Sequence, residues 1–299
     1  MKNELKQNIS FYDQIASNKR KSFFLMFLII VVIVALAYVI GKIYGDPFVF
    51  LAIGSIIAIV YVWIGYYASG SLAVAGAGAI QADERKYRQY YNLVEGLCIA
   101  SGMPMPKLYI MNNSQINAFA SGRNPKNSII CVTTGALEQL NRQELEGVLS
   151  HELSHIANYD IRFMTLATVL VGMISIISEM FLRSLWYKGD NRDSKAGVIF
   201  IIIGIILAIL APIFVQLVQL AISRKREYVA DASAVKFTRS TNGLVNALKK
   251  IKNEHMNPGE NKKISKAIAP LFISNPFKNA DITSTHPSID KRIEILERM

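Results

Sequence analysis

The sequence predicts two kinds of structure in one chain: four transmembrane helices, and a mainly helical α+β domain with a small sheet, assembled from two separated polar segments. Three observations predict this. Long apolar runs recur four times along the chain, three of them uncharged. Hydrophobic residues make up 52% of the 299 residues and charged residues only 18%, against about 25% in a soluble globular protein. The polar remainder pairs a helical apolar pattern, which carries two of the four histidines, with short β-branched runs. A disordered chain is excluded, because that requires low hydrophobicity. A disulfide framework is excluded as well, because the only cysteines are Cys98 and Cys131; they read as reduced, partly buried apolar residues.

The first run, Phe23 to Gly41, is long enough to cross a hydrocarbon core of about 30 Å. Ala35-Leu36-Ala37 imitates a signal-cleavage site but lies inside the run, so the segment reads as a retained anchor. The second span covers Pro47 to Ala68, and the small-residue stretch Ser69 to Ala79 continues it as a helix extension or linker. The third, Phe163 to Leu182, contains Glu179, whose carboxylate is tolerable only near the headgroups or paired with Arg183. The fourth covers Gly197 to Ile222.

The 33 basic and 22 acidic residues leave a net charge of +11. In a nucleic-acid-binding protein such charge clusters on one face. Here it flanks the spans: Lys2, Lys6, Lys19, Arg20 and Lys21 precede the first, and Arg224, Lys225 and Arg226 follow the fourth. Lysine and arginine favour the cytoplasmic side, so the amino terminus and both polar segments are expected there, and no nucleic-acid partner is expected. The expected order is a cytoplasmic segment 1–22, two spans in 23–68, the first part of the polar domain in 69–162, two spans with an outer loop at 183–196 in 163–222, and the second part in 223–299.

The first polar part contains His151-Glu152-Leu153-Ser154-His155. Asn141 followed by Glu144 resembles a capping box that opens a helix. Leu145, Val148, Leu149, Leu153 and Ile156 then recur at helical spacing. On that helix His151 and His155 project from one face and can share a metal ion, while Glu152 is displaced and free to act on water. Chance produces this pattern in well under ~1% of such chains. A catalytic zinc site needs three protein ligands and one open position. On residues alone the third ligand could be His286, His255 or a carboxylate. Glu227 and Asp231, four apart, are the most suggestive: one could bind metal while the other hydrogen-bonds a ligand histidine.

Lys107 to Met111 and Ser128 to Thr133 read as short strands, with Asn117-Ala118-Phe119-Ala120 between them. A strand edge near a metal can pair with an extended peptide, and Asn117 is a candidate contact to its backbone. His286 and Arg292 could reach an oxyanion or the substrate backbone. The polar stretch Asn253 to Lys263 reads as a surface loop, a candidate gate. Gln216, Gln219 and Ser223 fall on one stripe with Glu227 along the fourth span, which reads as interhelical hydrogen bonding or a wet path.

These motifs resemble the HtpX-type membrane zinc metalloproteases, gluzincins related to the CAAX prenyl endopeptidases. The resemblance rests on His151 to His155, on Arg226-Glu227-Tyr228-Val229-Ala230-Asp231, on Asn117 to Ala120 and on Ser284-Thr285-His286-Pro287. It implies a zincin-like domain with one Zn2+ bound by His151, His155 and Glu227. It also implies that Glu152 is the general base, that Asp231 supports a ligand, and that protein substrates, membrane proteins in particular, are cut in quality control at the bacterial cytoplasmic membrane. The rival readings are a prenyl-protein endopeptidase, whose chamber needs more spans, and a zinc-free membrane scaffold, against which the intact Glu152 argues.

Overall fold

The computed structural model describes residues 11–44, 46–169, 224–255, 271–273 and 287–299. Two long helices open the chain, α1 (Phe11–Tyr44) and α2 (Pro47–Tyr67). Helix α1 starts twelve residues before the apolar run, because the polar stretch around Lys19 to Lys21 continues the helix rather than preceding it. Asp46 caps α2, its carboxylate accepting the Phe48 and Val49 N–H groups at 3.1 Å, with Pro47 at the first helical position, where its missing N–H costs nothing. The two helices pack as a hairpin. A Cβ at Gly54 would lie 2.2 Å from the Ala37 Cβ, so only glycine permits this approach.

Both helices are long and apolar enough to cross a membrane, over Ile15–Tyr38 and Pro47–Tyr67. Their outer faces leave Phe23, Phe27, Phe48, Ile56 and Ile59 about 60% exposed or more. A soluble core helix would bury such side chains; lipid is the medium that accepts them. Of the third expected span, the first residues are helical, within α7 (residues 160–169). The rest of it, the whole fourth span, Glu179, Gln216, Gln219 and Ser223 lie outside the described residues.

Helix α3 (Ser69–Ala77) follows a break at Ala68, which realises the small-residue stretch as a helix of its own. Four strands form one sheet in the order β1-β2-β4-β3: β1 (Ile80–Gln81), β2 (Lys107–Met111), β3 (Ala118–Asn124) and β4 (Asn127–Thr133). β2 and β4 are parallel, and the other pairs are antiparallel. Asn117 to Ala120, expected between two strands, leads into a strand of its own, hairpinned to β4 through Asn124–Asn127. The outer edge of β3 is partly occupied. The Ile273 N–H donates to the Ala118 carbonyl at 2.9 Å, and Phe119 pairs with Phe272.

Helix α4 (Arg88–Ser101) buries Tyr90, Leu93, Val94 and Leu97 in the main core. The short α5 (Thr134–Gln139) leads into α6 (Arg142–Ala157), which opens with the expected capping box. Asn141 accepts the Glu144 N–H at 3.0 Å and Glu144 accepts the Asn141 N–H at 2.8 Å. Almost all of α6 is buried, because the sheet, α4, α8 (Arg224–Thr238) and α9 (Asn242–His255) surround it. The crossing with α9 is tight: a Cβ at Gly147 would lie 2.5 Å from the Leu244 nitrogen, and one at Gly243 2.2 Å from the Gln143 carbonyl oxygen. Asn253 to His255, expected in a loop, form the last turn of α9; residues 256–263 lie outside the described part. Helix α10 (Ile289–Leu296) closes the chain against α8 and α9. Both cysteines are buried and free.

Candidate metal centre

Helix α6 presents His151 and His155 on one face, with ring centroids 4.7 Å apart. Helix α8 brings Glu227 against them. The register between the two helices is set by two serines one turn apart on α6. Ser150 Oγ donates to the Ala234 carbonyl at 2.9 Å, and the Ser154 hydroxyl is shared between the His151 carbonyl of its own helix at 2.7 Å and the Ala230 carbonyl at 3.2 Å. This pairing of turns fixes which face of α8 meets the imidazoles.

His151, His155 and Glu227 are all buried, and one ligand atom from each lies within 4.8 Å of the other two. His151 Nε2 and His155 Nε2 are 3.2 Å apart, and each lies 3.6 Å from a Glu227 carboxylate oxygen. The two oxygens differ, Oε2 facing His151 and Oε1 facing His155, so the carboxylate straddles the pair of imidazoles, an arrangement of donors that suits zinc.

The outer nitrogens explain why the inner ones are lone pairs. His151 Nδ1 lies 2.9 Å from Asp231 Oδ1, and His155 Nδ1 lies 3.0 Å from Asp160 Oδ2. Each Nδ1 facing a carboxylate carries the hydrogen, which leaves each Nε2 as an acceptor. Two ring nitrogens 3.2 Å apart beside a carboxylate are placed to share one cation. Charge leads to the same conclusion. Four buried carboxylates, Glu152, Asp160, Glu227 and Asp231, are met by two guanidinium groups, Arg226 on Asp160 and Arg292 on Asp231 and Glu227. Among the described residues the carboxylates outnumber the guanidinium groups, a setting that favours a cation.

The titration of His151 without metal expresses the same demand. Burial and Arg292 both lower its pKa, yet hydrogen bonds to Asp231 and Glu227 outweigh them and push it up to about 9. Burial works against the Asp231 charge, but Arg292 and His151 hold its pKa below the ordinary value. Glu152 is 2% exposed. Burial raises its pKa, against the two histidines and the Ala120 N–H, which bonds its carboxylate from β3.

Asn117 is buried at the head of β3, where its Oδ1 accepts the Ala118 N–H at 3.0 Å. Arg292 is another of the candidate oxyanion or substrate contacts. It is 1% exposed and grips Asp231 with two bonds, Nε to Oδ2 at 2.9 Å and Nη2 to Oδ1 at 2.6 Å, with Nη2 also 3.3 Å from His151 Nδ1. Its Nη1 lies 3.5 Å from Glu227 Oε2, so the guanidinium supports a ligand carboxylate as well as Asp231. His286 lies outside the described residues. His255 falls in the last turn of α9. One member of the centre had no reading in the sequence, Asp160, which holds His155; Arg226, read there as a charge flanking the fourth span and as part of a motif, has its Nε 3.7 Å from Asp160. The signal for Asp160 was an acid five residues beyond His155, a spacing that meets the imidazole only if the chain turns back.

The chain matches peptidase family M48 over residues 84–299. It is 40% identical over 294 residues to a protease HtpX homolog of Caldanaerobacter subterraneus subsp. tengcongensis, spanning 96% of this chain and 97% of that one. A protease HtpX homolog of Dictyoglomus turgidum is 40% identical over 293 residues, spanning 97% and 95%. The fold is similar to that of Ste24p from S. mikatae, with a TM-score of 0.51 at 17% identity, over 94% of this chain and 65% of that longer one. With the family match extending over both polar segments and relatives aligned end to end, the chain belongs to peptidase family M48 as an HtpX-type metalloendopeptidase.

Proposed function

We propose that the chain is a zinc-dependent endopeptidase with four transmembrane helices in the bacterial cytoplasmic membrane. Its active site faces the cytoplasm, and it cuts membrane or membrane-associated proteins in quality control. One observation carries the reading: the two Nε2 atoms and the Glu227 carboxylate converge within 4.8 Å. The location is supported by the way α7, which starts at Asp160 beside the cluster, packs on α2. Tyr61 Oη donates to the Val169 carbonyl at 2.9 Å. The orientation is supported by the basic residues that flank the first and fourth spans.

A bound zinc ion lowers the pKa of water toward about 7 and polarises a substrate carbonyl. The protein's own groups do the rest. Asp231 and Asp160 fix the imidazoles so that Nε2 of each points at the metal position. Glu152, held by the Ala120 N–H, accepts the proton of the attacking water and delivers it to the leaving nitrogen. Burial raises its pKa, which favours the proton-bound form of the carboxyl. Asn117, at the head of β3, and His286 are proposed to contact the substrate.

The test compares wild type with Glu152→Gln and His151→Ala in detergent, measuring zinc content and cleavage of a membrane-protein substrate. Glu152→Gln keeps zinc and loses about 10²- to 10⁴-fold in rate, the usual worth of a positioned general base. His151→Ala loses zinc and activity together. Undiminished cleavage by Glu152→Gln at equal zinc would refute the assignment.

A further inference from the structure

Helix α1 does more than run beside the membrane hairpin. Its cytoplasm-proximal turns reach the α6–α7 corner, and the contact is polar and buried. Asn18 is 5% exposed. Its Nδ2 donates to Asp160 Oδ1 at 2.7 Å and to the Asn158 carbonyl at 3.0 Å. Asp160, 1% exposed, uses its other oxygen for His155 Nδ1 at 3.0 Å. One side-chain amide on α1 is therefore joined, through a single carboxylate, to an imidazole of the metal cluster.

The corner it holds is strained. Tyr159 has φ +59, a left-handed conformation that L side chains adopt reluctantly. That turn swings the chain back so that Asp160 faces His155. A residue held in such a conformation persists only where its surroundings over-determine it. Here α1 supplies two of the constraints: Asn18 on either side of the tyrosine, and Lys19, whose ammonium lies 4.4 Å from the Tyr159 ring centroid. Ser22, one turn further along α1 and fully buried, bonds only its own helix, at the Asn18 carbonyl. Of these two buried polar side chains of α1, Asn18 is the one that hydrogen-bonds the corner.

We propose that the first membrane helix is a functional part of the metal centre, with Asn18 as a positioning residue that holds Asp160 on His155 and so strengthens metal binding. The proposal rests on the zinc reading above and adds to it the element that orients the second histidine. A carboxylate behind a metal-bound histidine fixes its ring and raises its basicity, and losing it costs about 10- to 100-fold in metal affinity. Asn18 acts one bond further out, so its removal is expected to cost less, about three- to tenfold.

The experiment measures zinc affinity of the full chain in detergent micelles by competition with a chelator, for wild type, Asn18→Leu, Asp160→Ala, the double variant, and Ser22→Ala. Leucine keeps the volume of asparagine and removes the donor. Asn18→Leu is expected to bind zinc about three- to tenfold more weakly, and Ser22→Ala as wild type does. Because Asn18 works through Asp160, the double variant is expected to be no weaker than Asp160→Ala alone. Melting of the metal-free proteins separates packing loss from positioning. Hydrogen exchange of the wild type adds a readout that needs no variant to fold: zinc loading is expected to slow exchange both around Asn18 and around residues 158–162. Wild-type affinity in Asn18→Leu, a full Asn18 penalty on top of Asp160→Ala, or exchange around Asn18 indifferent to zinc would overturn the proposal. A wild-type chain that holds no zinc would instead overturn the zinc reading itself.

Discussion

Replacing Arg292 with methionine should cost far more than a surface arginine would. The guanidinium is 1% exposed and gives two hydrogen bonds, at 2.9 and 2.6 Å, to Asp231, which is itself 1% exposed. Methionine fills much of the volume but leaves the Asp231 carboxylate buried with His151 as its remaining partner. Breaking a buried pair from one side costs about 3–5 kcal/mol, because the other charge is left uncompensated. In a protein of this size 1 kcal/mol moves the melting temperature by about 2–4 °C, so the variant should melt about 6–20 °C lower. The assay is thermal unfolding of the metal-free protein in detergent, with Asp231→Asn and the double variant alongside. Removing both charges should recover part of the loss, since the double variant no longer buries a lone carboxylate. A drop below about 2 °C, or strictly additive single effects, would refute the claim that this pair acts as one buried unit behind His151.

Two further predictions concern the packing that aligns the ligands. Ser150→Ala combined with Ser154→Ala removes both hydrogen bonds from α6 to the α8 carbonyls; at about 1 kcal/mol each, the pair should lower stability by about 2 kcal/mol and weaken zinc binding, read by unfolding and chelator competition. Gly147→Ala sets a methyl group 2.5 Å from the Leu244 nitrogen, so α9 must move away from α6. Overpacking of this kind costs about 1–3 kcal/mol, and stability equal to wild type would show that the crossing is looser than its geometry implies.

What could be read from the sequence was what is local. The capping box at Asn141 and Glu144, the i, i+4 pair His151 and His155, and the i, i+4 pair Glu227 and Asp231 all follow from helical period, and the helices carry them as that period requires. Strands β2 and β4 were legible from their β-branched residues. Strand β3 was only half visible, because Ser121-Gly122-Arg123-Asn124 lacks those residues and pairs through the hairpin instead. Asp160 was hidden by the left-handed turn at Tyr159, which no helical spacing anticipates. Asn18 was hidden by its distance along the chain, as its partner stands 142 residues away. Arg292 was visible as a functional candidate, but its bonds to Asp231 were not, since a sequence motif does not show which groups a guanidinium meets.

In the proposed centre three side chains from two helices distant in sequence share one metal ion. An anomalous difference map recorded at the zinc edge from crystals of the full chain tests this directly. It should show one strong peak about 2.0–2.1 Å from Nε2 of both His151 and His155, and about 2.0–2.2 Å from a carboxylate oxygen of Glu227. A peak elsewhere, or one that excludes Glu227, would contradict it.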